Sequence, residues 1–281
     1  MISLKYKIAP LFFAICLVPM FVSAHQPRIV ESRSTTVVDP EISKAYYGKL
    51  TGVKDVYFIN SSSTFNLYVN ILVPDISGQK KDVSAVIYKD GKEAVVLNGI
   101  NFEWKKFFEP FGNDSYWKGP EYKIRAEAGN YEIRVSSVGG DSKYSLAVGE
   151  TESFDLKEGI NALEVIPKLK RDFFNESPAN FIFSLFGYGK VIIIFVFAAI
   201  FGIVSRSILK RIRRDKTHGA YKNIGAYDRL LRLVAGAVLL LFAINTTWNP
   251  IIIFFSDFLF FEALFGWCAI YAITGKNTCK V

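Results

Sequence analysis

Residues 191–204 read VIIIFVFAAIFGIV, and residues 205–216 follow at once as SRSILKRIRRDK. The first segment is apolar throughout. Apolar sequence also extends back through residues 181–185 across a Gly-Tyr-Gly-Lys step. With Lys190 snorkelling, this run is long enough to cross a hydrocarbon core of roughly 30 Å. The second segment sets Arg206, Lys210, Arg211, Arg213, Arg214 and Lys216 against Asp215. Lysine and arginine clustered beside a span mark its cytoplasmic side. The chain is therefore expected to cross inward here, with residues before 181 outside the cytoplasm and the basic loop 206–222 inside.

Composition agrees with this division. Of the 281 residues, 51% are hydrophobic, and the apolar ones are concentrated toward the C-terminal end. The net charge of +8 is largely carried by the patch next to the span. Positive-inside placement accounts for it, so no nucleic-acid partner is expected. The cysteines are Cys16, Cys268 and Cys279, which leaves residues 25–180 without a disulfide. No Cys-x-x-Cys pair is present for a redox or zinc site. No catalytic constellation, cofactor or metal is expected, and the chain is read as a non-enzyme.

At the N-terminus, Lys5 and Lys7 precede an apolar run over residues 8–18, and Val22-Ser23-Ala24 fits a cleavage site. Residues 1–24 are expected to be a signal peptide, with cleavage before His25. A copper site on that histidine needs a further ligand, and the other histidine, His218, is expected across the membrane. Residues 25–40 are expected to form a flexible tail.

Residues 41–168 read as short strands separated by turn residues. In residues 65–71, FNLYVNI, the odd positions are apolar, as in a half-buried strand. Strand-like runs at 83–88 and 93–97 flank Lys89-Asp90-Gly91-Lys92, a hairpin signal. Further strands are expected at 123–127, 131–136, 144–148 and 162–166, and no useful helical period stands out. The expected fold is an antiparallel all-β sandwich outside the cytoplasm plus three transmembrane helices.

One stretch breaks the rhythm. Residues 101–120, NFEWKKFFEPFGNDSYWKGP, are too long for an ordinary hairpin loop. Trp104, Phe107, Phe108, Phe111, Tyr116 and Trp117 are the candidate residues for stacking on a sugar or anchoring a protein. The alternative is that these rings fold back and close one end of the sandwich. Glu109, Asp114 and Asp141 lack the regular spacing of a calcium loop. Glu103 with Glu109 is no convincing glycosidase pair. Residues 169–180 read as a polar linker, with a helix start at Ser177-Pro178.

Beyond the basic loop, residues 223–281 hold an apolar helix to Ile244, an uncharged break at 245–250 and a second apolar run over 251–273. Lys222, Arg229 and Arg232 at one end and Lys276 and Lys280 at the other place both ends inside, giving three spans with 181–205. Asp257 and Glu262 are candidate intramembrane polar residues. Arg229 and Arg232 are expected to lie too near the cytoplasmic end to reach Glu262. Its carboxyl is expected to face another helix, approached closely at Ala235, Gly236 and Ala237.

Two resemblances bear on the role. Asn223, Gly225, Asp228, Arg229 and Arg232 open the hairpin, and Gly266, Cys268, Tyr271, Gly275, Thr278 and Cys279 close it. This pattern resembles the DUF2892 family, the YgaP-like two-helix transmembrane domain of inner-membrane rhodanese proteins. The resemblance implies a bacterial inner-membrane hairpin able to dimerise, with no chemistry of its own. Ala269 and Glu262 depart from the family pattern. Residues 129–135 and 143–149 resemble the last hairpin of pre-peptidase-C-like and carbohydrate-binding-like sandwiches, which implies a binding or spacer module. The expected function is display of a β-sandwich binding or scaffolding module at the cell envelope. The expected partners are the lipid bilayer, an envelope glycan or protein, and a second copy through the hairpin. The alternatives are a transmembrane sensor or signalling partner contacting through loop 206–222, or an enzyme acting on envelope glycans.

Overall fold

The computed structural model describes residues 25–212 and 222–279. The expected signal peptide at 1–24 and residues 213–221 of the basic loop lie outside the described residues. The chain divides into a unit over residues 23–186 and a helical unit from residue 187 onward.

The first unit is a β-sandwich. Its strands are β1 (Gln26–Ile29), β2 (Ser34–Thr36), β3 (Lys44–Thr51), β4 (Asp55–Ser61), β5 (Phe65–Pro74), β6 (Val83–Lys89), β7 (Lys92–Leu97), β8 (Lys105–Glu109), β9 (Asp114–Ala126), β10 (Gly129–Ser137) and β11 (Asp141–Val148). One sheet runs β1-β3-β11-β5-β9-β8 and the other β2-β4-β10-β6-β7. Alternation along the strands sends Leu67, Val69 and Ile71 of β5 and Tyr131, Ile133 and Val135 of β10 into the core between the sheets. The β6–β7 turn has Asp90 and Gly91 at φ 47° and 77°, so both central residues of this Asp-Gly hairpin are left-handed, as the sequence leads one to expect.

Four sequence expectations need correction in this unit. Residues 25–40 are no loose tail: β1 pairs in parallel with β3, and β2 in parallel with β4. Both are edge strands, where Pro27 is tolerated because one row of backbone groups needs no partner. Residues 162–166 are no strand. They lie in helix α1 (Leu156–Asp172), whose N-cap Asp155 accepts from Glu158 N. Ala162, Ile166 and Leu169 recur at helical spacing and are buried, while Pro167 masks that period in the sequence. Leu169, Phe173 and Phe174 pack with Leu72, Tyr116 and Ala147 on the outer face of the six-stranded sheet. The expected linker 169–180 is the last turn of α1 followed by a 3-10 helix over Pro178–Phe183, capped by Ser177. Residues 101–120 are largely the hairpin β8–β9 and no long loop.

The second unit holds α2 (Leu185–Ile212), α3 (Ala226–Asn245), α4 (Pro250–Phe265) and α5 (Ala269–Thr274). Among the described residues one helix, α2, is long and apolar enough to cross a membrane, with 28 residues and a mean hydropathy of 2.5. It runs on past residue 205 through Arg206, Lys210 and Arg211, which are good helix formers. α3 carries Asp228, Arg229 and Arg232 near its start. The apolar run 251–273 is not continuous. α4 ends at Gly266, whose φ of 65° and N–H bond to Glu262 O form a left-handed cap, and α5 starts afresh at Ala269. Within this unit Ser256 Oγ donates to Gly236 O at 2.8 Å, joining α3 to α4. Gly236 is buried, whereas Ala235 and Ala237 face outward, so close approach rests on the glycine alone. Phe201 of α2 packs edge-on against Phe254 and Phe258 of α4.

Candidate functional site

The six aromatic candidates part company at the β8–β9 hairpin. β8 is an edge strand whose register runs from Lys105 opposite Lys118 to Glu109 opposite Asp114. The Glu109 carboxylate closes the turn by accepting from Phe111 N at 2.8 Å and Gly112 N at 2.7 Å. Trp104 is buried. Its indole lies on the backbone at Gly119, where a Cβ would come within 2.5 Å of the ring, and its Nε1 donates to Gly99 O at 2.8 Å. Phe111 is buried between Phe154 and Phe186, at centroid distances of 5.3 and 4.1 Å. Tyr116 is buried against Phe174, and its hydroxyl meets that of Tyr47 at 3.0 Å. These three rings fold back, as the alternative reading had it. Trp117 is half-buried, donates from Nε1 to Asp75 Oδ1 at 2.9 Å, and carries Lys81 Nζ 3.7 Å above its ring. Phe107 and Phe108 remain exposed, beside exposed Lys105 and Lys106.

Behind the turn lies a buried charge pair that the sequence does not announce. Lys170 of α1 is fully buried and donates to Asp114 Oδ1 at 2.6 Å and Asn113 O at 2.9 Å. Burial pushes the Asp114 carboxyl up to about 7, with Lys170 opposing it. Burial also raises Glu109, opposed by the two backbone N–H groups. These acids are spent on structure: one closes a turn and one holds a helix. Glu103 is exposed, whereas Glu109 is half-buried in the turn. A second internal network joins the two sheets. Tyr144 Oη donates to Asp55 Oδ2 at 2.7 Å, Tyr57 Oη meets Tyr144 Oη at 2.7 Å, and Arg33 pairs with Asp55. Among the described residues no group of three or more His, Cys, Asp or Glu side chains is placed to hold a metal. The Nδ1 of His25 contacts the Ser43 hydroxyl.

Among the clefts on the sandwich surface are these two. One of ≈ 430 Å³ is lined by Phe108, Ser115, Phe174, Asn180 and Phe183, with Asp75 and Glu176 at its rim. The other, of ≈ 480 Å³, is lined by Arg28, Thr35, Lys44, Asp155 and Glu158 among others. The Arg28 guanidinium forms a two-bond fork with Glu158, which pins β1 to α1 across this second cleft.

In the helical unit, the residues of the two-ended sequence pattern come together. Asn223 Nδ2 donates to Cys268 O at 2.9 Å, and Cys268 N donates back to Asn223 Oδ1 at 2.8 Å. Gly225 N donates to Thr278 Oγ1 at 2.9 Å, and Thr278 Oγ1 donates to Asp228 Oδ2 at 3.1 Å. Asn223 thereby caps the break between α4 and α5 that leaves backbone groups open. Arg232 pairs with Asp228 at 3.2 Å and with Glu262, and its guanidinium lies 5.1 Å from the Tyr271 ring centroid. This corrects the expectation that Arg232 falls short of Glu262. Because α4 stops at Gly266, Glu262 lies one turn from a helix end and level with Arg232, not in mid-helix. Asp257 is buried as well, and one of its carboxylate oxygens has no hydrogen-bond partner.

Comparison with known proteins follows this division. Residues 220–281 match the family described as the inner membrane protein YgaP-like transmembrane domain. The sandwich is similar to the pre-peptidase C-terminal domain of a collagenase from Bacillus anthracis, at 17% identity over 44% of this chain and 96% of that one, with a TM-score of 0.26. It is similar to CorA of Methylomicrobium album BG8, a surface-associated copper-binding protein, at 8% identity over 44% of this chain and 100% of that one, TM-score 0.24. It is also similar to the C-terminal domain of the sugar-binding protein EclA, at 14% identity over 39% of this chain and 77% of that one, TM-score 0.21. At these scores the likenesses carry no ligand across to this chain. No curated protein matches the sequence. The molecule is thus a β-sandwich joined to a membrane-helix region, and that region closes in a YgaP-like transmembrane domain.

Proposed function

We propose that this is a multi-pass envelope protein whose three spans, α2 and the α3–α4 hairpin, hold the sandwich outside the cytoplasm as a non-enzymatic binding or scaffolding module. The observation that carries the reading is the polarity of α2. The sandwich leads directly into its first residue, Leu185, while Arg206, Lys210 and Arg211 lie at its far end. The hairpin supports the same direction, since its 245–250 turn is uncharged and its other ends bear Lys222, Arg229 and Lys276. The module's contact surface is the β8 edge. Its backbone lacks a strand partner on one side, and Phe107 and Phe108 stand out from it.

The test uses Phe108→Cys in the full chain, labelled in spheroplasts with a membrane-impermeant maleimide. The reading predicts labelling from outside, slower in the native membrane than in detergent because the edge is occupied. Labelling only after permeabilisation overturns the topology. Equal rates in membrane and detergent overturn β8 as the contact edge.

A further inference from the structure

The β8 strand reads Lys105-Lys106-Phe107-Phe108-Glu109, basic at one end and acidic at the other. On its paired side the charges are mismatched. Lys105 stands opposite Lys118 and Glu109 opposite Asp114, with Phe107 opposite Tyr116 between them. Like charges directly opposite one another are unfavourable in an antiparallel pair. The β9 members are offset elsewhere: Lys118 Nζ lies 2.8 Å from Glu121, and Asp114 holds Lys170. The β8 members border an edge with no further strand among the described residues. Lys105, Lys106, Phe107 and Phe108 are all exposed along it. Each oxygen of the Glu109 carboxylate accepts one backbone N–H, which leaves acceptor capacity for an ammonium group. Strand alternation puts residues 105, 107 and 109 on one face of the sheet and 106 and 108 on the other.

We propose that the occupant of this edge is a second copy of the chain, whose β8 pairs antiparallel with the first about a two-fold axis at Phe107. In that register Lys105 of each copy meets the partner's Glu109, Lys106 meets the partner's Phe108, and Phe107 meets the partner's Phe107. All five residues of the strand find a partner, and opposite charges meet at both ends. The open backbone groups of the two edges satisfy each other, and the two six-stranded sheets become continuous. The register is specified by the sequence. An axis at Lys106 sets two lysines together, and an axis at Phe108 sets Glu109 against a phenylalanine. A one-residue offset turns one copy's faces over. The contact is isologous, so it closes at two copies. Five paired residues make a small interface, so the copies pair in the membrane, where chains are concentrated, and separate in dilute detergent. The inference names the occupant of the contact edge proposed above and rests on that reading.

The test oxidises the full chain in its membrane with copper-phenanthroline and reads disulfide-linked dimers on non-reducing gels. The unaltered chain, with its own cysteines, sets the background. Val138→Cys, at a site 78% exposed in the β10–β11 turn, reports random collision. Phe107→Cys sits on the two-fold axis and should give several-fold more dimer than either. Adding Lys105→Glu brings like charges together at both ends and should lower that yield several-fold. A second measurement co-expresses differently tagged Lys106→Cys and Phe108→Cys chains. The register puts these two positions directly opposite, whereas either one lies about 8 Å from its own symmetry mate, beyond disulfide reach. The tagged chains should therefore join to each other in preference to themselves. Phe107→Cys dimers no more abundant than those of Val138→Cys overturn the proposal, as does a preference of the tagged chains for their own kind. Should Phe107→Cys fail to fold, the tagged pair decides alone. If no dimer forms while Phe108→Cys still reacts more slowly with maleimide in the membrane than in detergent, another molecule covers the edge, and the self-pairing falls while the contact edge stands. If those maleimide rates are also equal, both fall.

Discussion

Lys170 Nζ lies 2.6 Å from Asp114 Oδ1 with the lysine side chain fully buried, and this pair helps fasten α1 to the turn of the β8–β9 hairpin. A buried ammonium is tolerated only with a partner, because its desolvation costs several kcal/mol. Asp114→Ala leaves buried Lys170 with Asn113 O and the more distant Glu176 carboxylate at 3.9 Å, and should lower the stability of the sandwich by about 3 kcal/mol. Asp114→Asn keeps an acceptor and should cost less. Denaturant unfolding followed by near-ultraviolet circular dichroism measures both. An alanine variant as stable as the parent contradicts the role of the pair.

The same carboxyl makes stability depend on pH. Its folded value is raised from 3.8 to about 7, so the fold favours the protonated form. The resulting stabilisation is fully present below the unfolded value and is lost as pH rises toward and through 7. Glu109 is raised too and acts in the same direction. His25 is lowered by burial and acts in the opposite direction below 6.5. The difference between parent and Asp114→Asn therefore isolates the effect. Relative to the variant, the parent should lose stability as pH rises from about 4 to about 7, by about 1.4 kcal/mol per unit of effective shift at most. A difference that does not change with pH, or that grows in the parent's favour, contradicts the assignment.

Trp104 and Phe107 are three residues apart and should respond in opposite ways. Trp104→Ala empties a buried site against Gly119 and should cost about 3–5 kcal/mol. Phe107→Ala removes an exposed ring and should stay within about 0.5 kcal/mol. Thermal melts of the two variants check this contrast, and equal losses would contradict the division of the aromatics into core and surface.

These contrasts mark where the sequence is readable. The alternation in 65–71 and the Asp-Gly turn are local signals, and the structure follows both. Two strands and a helix were hidden for different reasons. β1 and β2 are short edge strands, with Pro27 inside β1 and Pro40 after β2, so composition makes them resemble a tail. α1 contains Gly159 and Pro167, so a window over 162–166 reads as β-prone while the i, i+4, i+7 burial of Ala162, Ile166 and Leu169 is overlooked. Lys170 and Asp114 lie 56 positions apart, and no local pattern links them. The two-ended motif of the hairpin was legible as a pattern. Its meaning, a capped helix break at Gly266, needed coordinates.

That break also governs the prediction for Arg232 and Glu262. Arg232→Met leaves the Glu262 carboxylate without its cation and should make the helical hairpin easier to unfold in detergent. Glu262→Gln added to that variant removes the orphaned charge and should recover part of the loss. A double variant no better than the single one contradicts the pairing, and a double-mutant cycle on thermal unfolding reads the coupling directly.

The central claim is that the sandwich stands outside the cytoplasm with the basic end of α2 inside. It is tested most directly by paired reporters fused after Val281 of the full chain, one fluorescent only when folded in the cytoplasm and one active only outside it. The account predicts a fluorescent cytoplasmic reporter and a silent external one. A silent cytoplasmic reporter with an active external one would contradict the three-span arrangement on which the account depends.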